Sequence, residues 1–287
     1  FFALCHNKDM LDPRMQKRLD EKLKKLNSLR PLNNNQVKKL QEQLEIEMTY
    51  NSNAIEGNSL TFRETWLVLH EGITIRGKPL KDHLEAKDHQ EALGFLYELV
   101  AGKQCSISEQ LVRQLHQLVV QETEKKCAGV YRDGAVIIGG AKHIPPDAIN
   151  IPRLMQELLT WLKKNTNKLH PVVLSALLHH KLVAIHPFFD GNGRTSRLVM
   201  NVMLMQKGFP LAIILKADRK KYYTVLQKAD DGNLKPLVLL VAQAVERSLD
   251  LYIRTFATEH AGTLVTLSDA ARGSKYTAKY LNLLART

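Results

Sequence analysis

The apolar positions of this chain recur at helical spacing almost throughout. In QVKKLQEQLEIEMTYNSNAIEGN, Val37, Leu40, Leu44, Met48 and Ile55 fall near one stripe, and Gly57 supplies a C-terminal stop. Thr61 and Glu64 make a capping-box pattern that opens a helix ended by Gly72, and Asp82 with Glu85 repeats the pattern for a helix running towards Val100. Ser108 caps a further helix with the stripe Leu111, Leu115, Leu118 and Val119, while Pro152, Pro171 and Pro236 stand where a first-turn proline starts a helix. The longest of these runs from Pro236 to about Thr258. Only Ala135 to Gly139, apolar between Asp-Gly and Gly-Gly, reads as strand, one arm of a short hairpin. The pattern predicts an all-α chain with a β flap.

One break in this pattern is chemically dense. His170 to Ile185 reads as a buried helix, HPFFDGNG interrupts it with Pro187 and two glycines, and the helix that restarts in RTSRLVMNVMLMQKG stops at Gly208. His186 therefore leaves one helix as Arg194 enters the next. The amides of Gly191, Asn192 and Gly193 converge at a helix N-terminus, where unpaired N–H groups and the helix dipole favour an anion. Arg194 and Arg197, three apart on one face, can hold a polyphosphate with two guanidinium forks. Asp190 offers a hard oxygen for magnesium, and His186 is the one group here able to take a proton near neutral pH. Together these parts point to phosphoryl or nucleotidyl transfer.

Composition narrows the setting. A chain of 287 residues with 44% apolar content can bury an ordinary core as one large or two modest domains. Its three cysteines, Cys5, Cys105 and Cys127, form no C-x-x-C pair and fit structural thiols in a reducing, cytoplasmic compartment. No run approaches 18 apolar residues and no charged-then-apolar leader opens the stretch, so neither a membrane span nor a signal peptide is expected within it. The chain begins at Phe1, which leaves room for an upstream segment. A net charge of +12 invites a nucleic-acid reading, but patches such as LDPRMQKRLDEKLKKL interleave acids on an amphipathic pattern and read as solvated helix surface.

HPFFDGNGRTSR resembles, without mismatch, the Fic family signature H-x-F-x-D/E-G-N-G-R-x-x-R, and the helices from about Leu60 to Thr258 look like the Fic domain and its extensions. The resemblance implies an all-α Fic-type bundle with a β-hairpin flap that transfers AMP from ATP to a Ser, Thr or Tyr hydroxyl of a target protein. On the matched positions His186 would be the general base and Asp190 the Mg2+ ligand. Asn192 with the amides of Gly191 and Gly193 would form the catalytic anion hole, Arg194 and Arg197 would bind the phosphate tail, and Phe188 would anchor the loop in the core. SNAIEGN, Ser52 to Asn58, resembles the inhibitory motif S/T-x-x-x-E-G/N, which implies that Glu56, helped by Ser52, pairs with Arg197 and blocks the γ-phosphate. The same glutamate could instead position a water for removing AMP.

Further features carry over from the family. Gly129 to Pro146 looks like the flap that docks a target segment by strand addition, with Val136 and Ile138 as its contacts. Tyr222 to Asp230 resembles the segment near the adenine, with Tyr223 the ring contact; some relatives have asparagine where Asp230 stands. His179 and His180 read as helix residues rather than metal ligands, and neither H-E-x-x-H nor a P-loop is present. The tail could begin a helix-turn-helix or winged helix, with Ser268 as cap and Leu281 and Leu284 packing it, and so reach DNA.

The expected organisation is an N-terminal helical region over 1–59, the Fic domain over 60–258 and the tail over 259–287. Expected partners are ATP, a hydroxyl-bearing protein substrate, a second copy of the chain as a homodimer, and DNA through the tail. Two alternatives stand beside AMP transfer. One is transfer of UMP, phosphocholine or phosphate, although members that transfer phosphate replace the second glycine and lack the second arginine, and here Gly193 and Arg197 are both present. The other is a nucleotide-sensing DNA-binding regulator.

Overall fold

The computed structural model describes residues 10–102 and 106–257, and among these the regular structure is entirely helical. Helix α1 (Pro13–Ser28) starts behind Asp12, whose carboxylate accepts from the amides of Arg14 and Met15. It turns Met15, Leu19 and Leu26 inward and its charged residues to solvent, as the alternating pattern of that stretch requires. Helix α2 (Asn34–Glu56) ends at Gly57 in the left-handed conformation, φ 108°. The Thr61–Glu64 capping box forms with both of its reciprocal bonds and opens the short α3 (Phe62–Trp66), which widens over Leu67–Glu71 before Gly72 stops it.

Helices α4 (Leu80–Ala101), α5 (Glu109–Val120) and α6 (Ile151–Asn165) wrap one side of a central hairpin made by α7 (Pro171–Ile185) and α8 (Asn192–Gln206). Helices α9 (Arg219–Asp230) and α10 (Lys235–Ala257) close the other side, where α1 lies along α10. Because α7 is apolar on nearly every face, it serves two cores at once. Val172, Val173, Ala176 and Leu177 pack towards α1, α9 and α10, while Leu174, Leu178, Leu182 and Ile185 pack towards α4, α5 and α6. The hinge between α7 and α8 is thereby held rigidly at the centre of the protein, and that hinge is the His186 loop.

Two sequence expectations are corrected here. Asp82 and Glu85 do not cap α4: Pro79 precedes its first residue, Leu80, and the two acids lie inside the helix. The Asp82 carboxylate instead accepts from the Ser59 amide and hydroxyl at 2.8 and 2.5 Å, and Glu85 turns to Asn58 and Arg194. The segment Ala135–Ile138 is irregular and turns at Gly139–Gly140, and no strand is formed among the described residues. A short apolar run between turns suits a strand, but a ladder also needs a second strand beside it, and none is formed among the described residues.

The helix-turn-helix expected over 259–287, with Ser268, Leu281 and Leu284, lies outside the described residues, as do Cys5 and Cys105. Among the described residues no helix is long and apolar enough to cross a membrane.

Candidate active site

His186 closes α7 with φ 49° and ψ 61°, the one non-glycine residue at positive φ among those described. A β-carbon in that region costs about 1–2 kcal/mol, so surrounding bonds must hold the loop. Its ring Nδ1 lies 3.3 Å from the Val183 carbonyl, which makes Nδ1–H the donor and leaves Nε2 as the acceptor. Burial pushes the imidazole down to about 4, helped by the charge on Arg132 and opposed by the Val183 bond and Glu56. The ring is therefore neutral at pH 7, the state that can accept a proton.

The next turn of the loop is fixed from beneath. Phe188 is fully buried and stacks on His116, with ring centroids 3.6 Å apart and planes within 1°. His116 accepts from the Gly129 amide at 2.9 Å and donates to the Asp190 carbonyl at 3.0 Å, and burial drives it down to about 4. The Asn192 side chain is spent on the Phe188 backbone, accepting from its N–H at 3.0 Å and donating to its carbonyl at 2.8 Å. Asn192 thus offers an anion its backbone N–H, while its amide side chain acts as a clamp on the loop.

Helix α8 starts behind Gly191, φ 74°, without a side-chain cap, so the first-turn amides are left free of any local side chain. A β-carbon on Gly191 would stand 2.8 Å from Val120. At Gly193 it would meet the Glu56 carboxylate and, at 3.1 Å, Arg197 Nη1. The Glu56 side chain thus occupies the space over the positive end of α8, where an anion is stabilised by the helix dipole.

Both arginines are almost fully buried. Arg197 donates through Nε to Ser52 Oγ at 3.0 Å and through Nη2 to the Ser52 carbonyl at 2.9 Å and Glu56 Oε1 at 2.7 Å. Burial opposes its charge, but Glu56 and Tyr222 outweigh that and raise its pKa. Tyr222, wholly buried, joins His179 to this group: its hydroxyl lies 2.9 Å from His179 Nε2 and 3.5 Å from Arg197 Nη1. Arg194 Nη1 pairs with Glu85 Oε1 at 3.2 Å and Nη2 with Asp190 Oδ1 at 3.5 Å. The Asp190 carboxylate is half-exposed; burial disfavours its charge, yet Arg194, the Gly191 amide and Lys81 together hold it below the usual carboxylate range. Magnesium usually takes one or two carboxylates plus phosphate oxygens, and this ionised, accessible group fits that use.

Other expected residues lie around this centre. Tyr223 is part-exposed beside it, donating to the Ile55 carbonyl at 3.1 Å and stacked under Arg219. Asp230 accepts from His180 at 2.8 Å. On the flap Val136 and Ile138 are half-buried, whereas Ile137 between them is 96% exposed.

Sequence reading missed Glu85, His116, Arg132, Tyr222 and Lys81. Glu85, Arg132 and Tyr222 fall in stretches read for other roles, and each of the five meets the loop or its arginines only through tertiary packing.

Comparison with known proteins agrees with this geometry. Residues 106–204 match the Fic/DOC family model. Proteins named protein adenylyltransferase Fic from Aedes aegypti and Nematostella vectensis are each 36% identical over 244 residues, 85% of this chain, and the match covers 48% and 56% of their lengths. A Fic domain containing signaling protein from Bacteroides thetaiotaomicron is similar with a TM-score of 0.77 at 29% identity, covering 86% of this chain and 100% of that one. Fic-1 from C. elegans gives 0.76 at 29% identity over 85% of this chain and 72% of its own. Residues 106–204 belong to the Fic/DOC family. The chain spans about half the length of the curated relatives it matches.

Proposed function

We propose that this protein is an autoinhibited adenylyltransferase that moves AMP from ATP to a hydroxyl of a target protein. The observation that carries the reading is the seat of Glu56, a carboxylate held by Arg197 against Gly193 at the N-terminus of α8. A site that accommodates an internal anion there is built for a phosphate. ATP would lay its phosphates along the α8 amides, Arg194 and Arg197, and neutral His186 would take the proton from the attacking hydroxyl through Nε2. In-line attack on the α-phosphate forms the new phosphoester bond and releases pyrophosphate, so positioning and charge neutralisation do most of the work. Asp190 would hold Mg2+, which supplies charge neutralisation on the phosphates. Glu56 also bears electrostatically on His186, which supports a second use in orienting a water that removes AMP.

The test is incubation with ATP labelled once at the α- and once at the γ-phosphate. Transfer of the α label alone is expected, strongest when Glu56 is replaced by glycine. Transfer of the γ label would overturn the reading in favour of phosphate transfer, and nucleotide binding without any transfer would favour the regulator.

A further inference from the structure

The flap has no ladder to hold it, and His186 sits in a disfavoured backbone conformation, yet both are fixed by one buried side chain. Arg132 is 3% exposed and bonds through all three of its nitrogens. Nε donates to the His186 carbonyl at 2.8 Å, Nη1 to the Gly134 carbonyl at 2.7 Å and Nη2 to the Pro146 carbonyl at 2.5 Å. Its own amide donates to the Pro187 carbonyl at 2.9 Å. Gly134 and Pro146 bracket the outer part of the flap, Ala135 to Pro145, so a single guanidinium ties both ends of that stretch to each other and to the residue that closes α7.

We propose that Arg132 is the positioning residue that sets the distance between a target hydroxyl docked on the flap and the Nε2 of His186. The proposal rests on the adenylyltransferase reading for its reaction, but not for its geometry. A planar fork can reach three carbonyls in three directions, whereas an ammonium of similar length presents one compact centre. The flap carries few other ties: His143 Nε2 lies 2.8 Å from the Ala184 carbonyl, and the Lys142 amide donates to Gln227. The α8 amides, Arg194 and Arg197 hold none of these bonds. Loss of Arg132 therefore separates flap from base while the phosphate cradle stays intact. Arg132 also faces the imidazole electrostatically, together with Glu56 and His143.

The experiment uses Arg132→Gln and Arg132→Lys, each alone and combined with Glu56→Gly. At saturating ATP both Glu56→Gly double variants are expected to transfer AMP about 10²-fold more slowly than Glu56→Gly itself, the cost typical of a misplacement of about 1 Å. Their KM for ATP is expected to stay within about twofold, because positioning rather than nucleotide binding is lost. Histidine-selective NMR of the single variants supplies a readout independent of turnover: the His186 titration moves upward in Arg132→Gln and stays near wild type in Arg132→Lys, which keeps the charge. Should the glutamine variant not fold, the same kinetic split in the lysine variant carries the test. Transfer at the Glu56→Gly rate, or loss of ATP affinity in step with rate, would overturn the proposal. If even Glu56→Gly transfers no AMP, the reaction assignment fails; an unmoved His186 titration in Arg132→Gln would then reject the Arg132 assignment separately.

Discussion

Glu56 Oε1 lies 2.7 Å from Arg197 Nη2, although 141 positions separate the two residues along the chain. Ser52, one helical turn before Glu56, bonds the same guanidinium through both its hydroxyl and its carbonyl. If this pair is the latch, Glu56→Gly raises self-labelling with AMP well above wild type, and adding Arg197→Ala removes the gain. Ser52 still bonds the buried guanidinium, so the stability loss should stay below the roughly 3–5 kcal/mol typical of stripping a buried ion pair. Intact-mass spectrometry of the three proteins checks this; equal labelling of wild type and Glu56→Gly would reduce SNAIEGN to a helix end.

Replacing His186 with alanine in the Glu56→Gly protein should lower transfer by about 10²–10⁴-fold, the range for loss of a general base. ATP binding should persist, because no phosphate contact depends on the imidazole. With its pKa near 4, the base is already neutral at pH 6, and lowering the pH from 8 to 6 should cost little rate on its account. A rate that collapses between pH 7 and 6 would mean that the reacting group titrates at the ordinary histidine value instead.

Asp190→Ala should abolish the part of ATP affinity that depends on magnesium. Paired calorimetric titrations, with the ion and with chelator, should differ for wild type and coincide for the variant. An unchanged difference would place the ion elsewhere.

Three buried histidines and the half-buried His186 give the fold a pH dependence with a definite sign. Burial lowers His116 and His186 to about 4, and His89 and His179 to about 3. The unfolded chain therefore binds more protons between about pH 6.5 and those values. Their contribution is fully present above pH 6.5 and is lost as the pH falls towards 4. Asp88, raised to about 6 by burial, acts in the opposite sense, as do Glu45 and Glu47, which burial also raises. Urea unfolding at pH 7 and pH 5 should show a lower midpoint at pH 5, on the order of 1–2 kcal/mol per histidine before the carboxylate offset. A higher midpoint at pH 5 would show that these rings are not buried in the neutral form.

How much of this could be read from the chain depended on the distance between partners. The His186–Arg197 loop is contiguous, so the residues that share the site also share a motif. Helix starts with local signals, such as Asp12 or the Thr61–Glu64 box, follow from neighbours three residues apart. Arg132 reaches across 54 positions and Lys81 across 109, and no local spacing records such a meeting. Asn192 illustrates a different limit: its place in the motif marks it as important, but only coordinates tell that its amide is spent on Phe188. The flap failed as a strand because an apolar run between turns describes one backbone, while pairing needs another.

If Glu56, seated against Gly193, blocks the phosphates as proposed, the chain is its own competitor. An inhibitor that arrives from solution is weakened by dilution, whereas this carboxylate travels with the site at a fixed effective concentration, of order mM or more for a short tether. Repression would then be the same in a crowded cell and in a dilute assay, and only the supply of a rival anion, or a partner that pulls α2 aside, could change it. On that reading the protein is set by its nucleotide and its partners, and not by dilution.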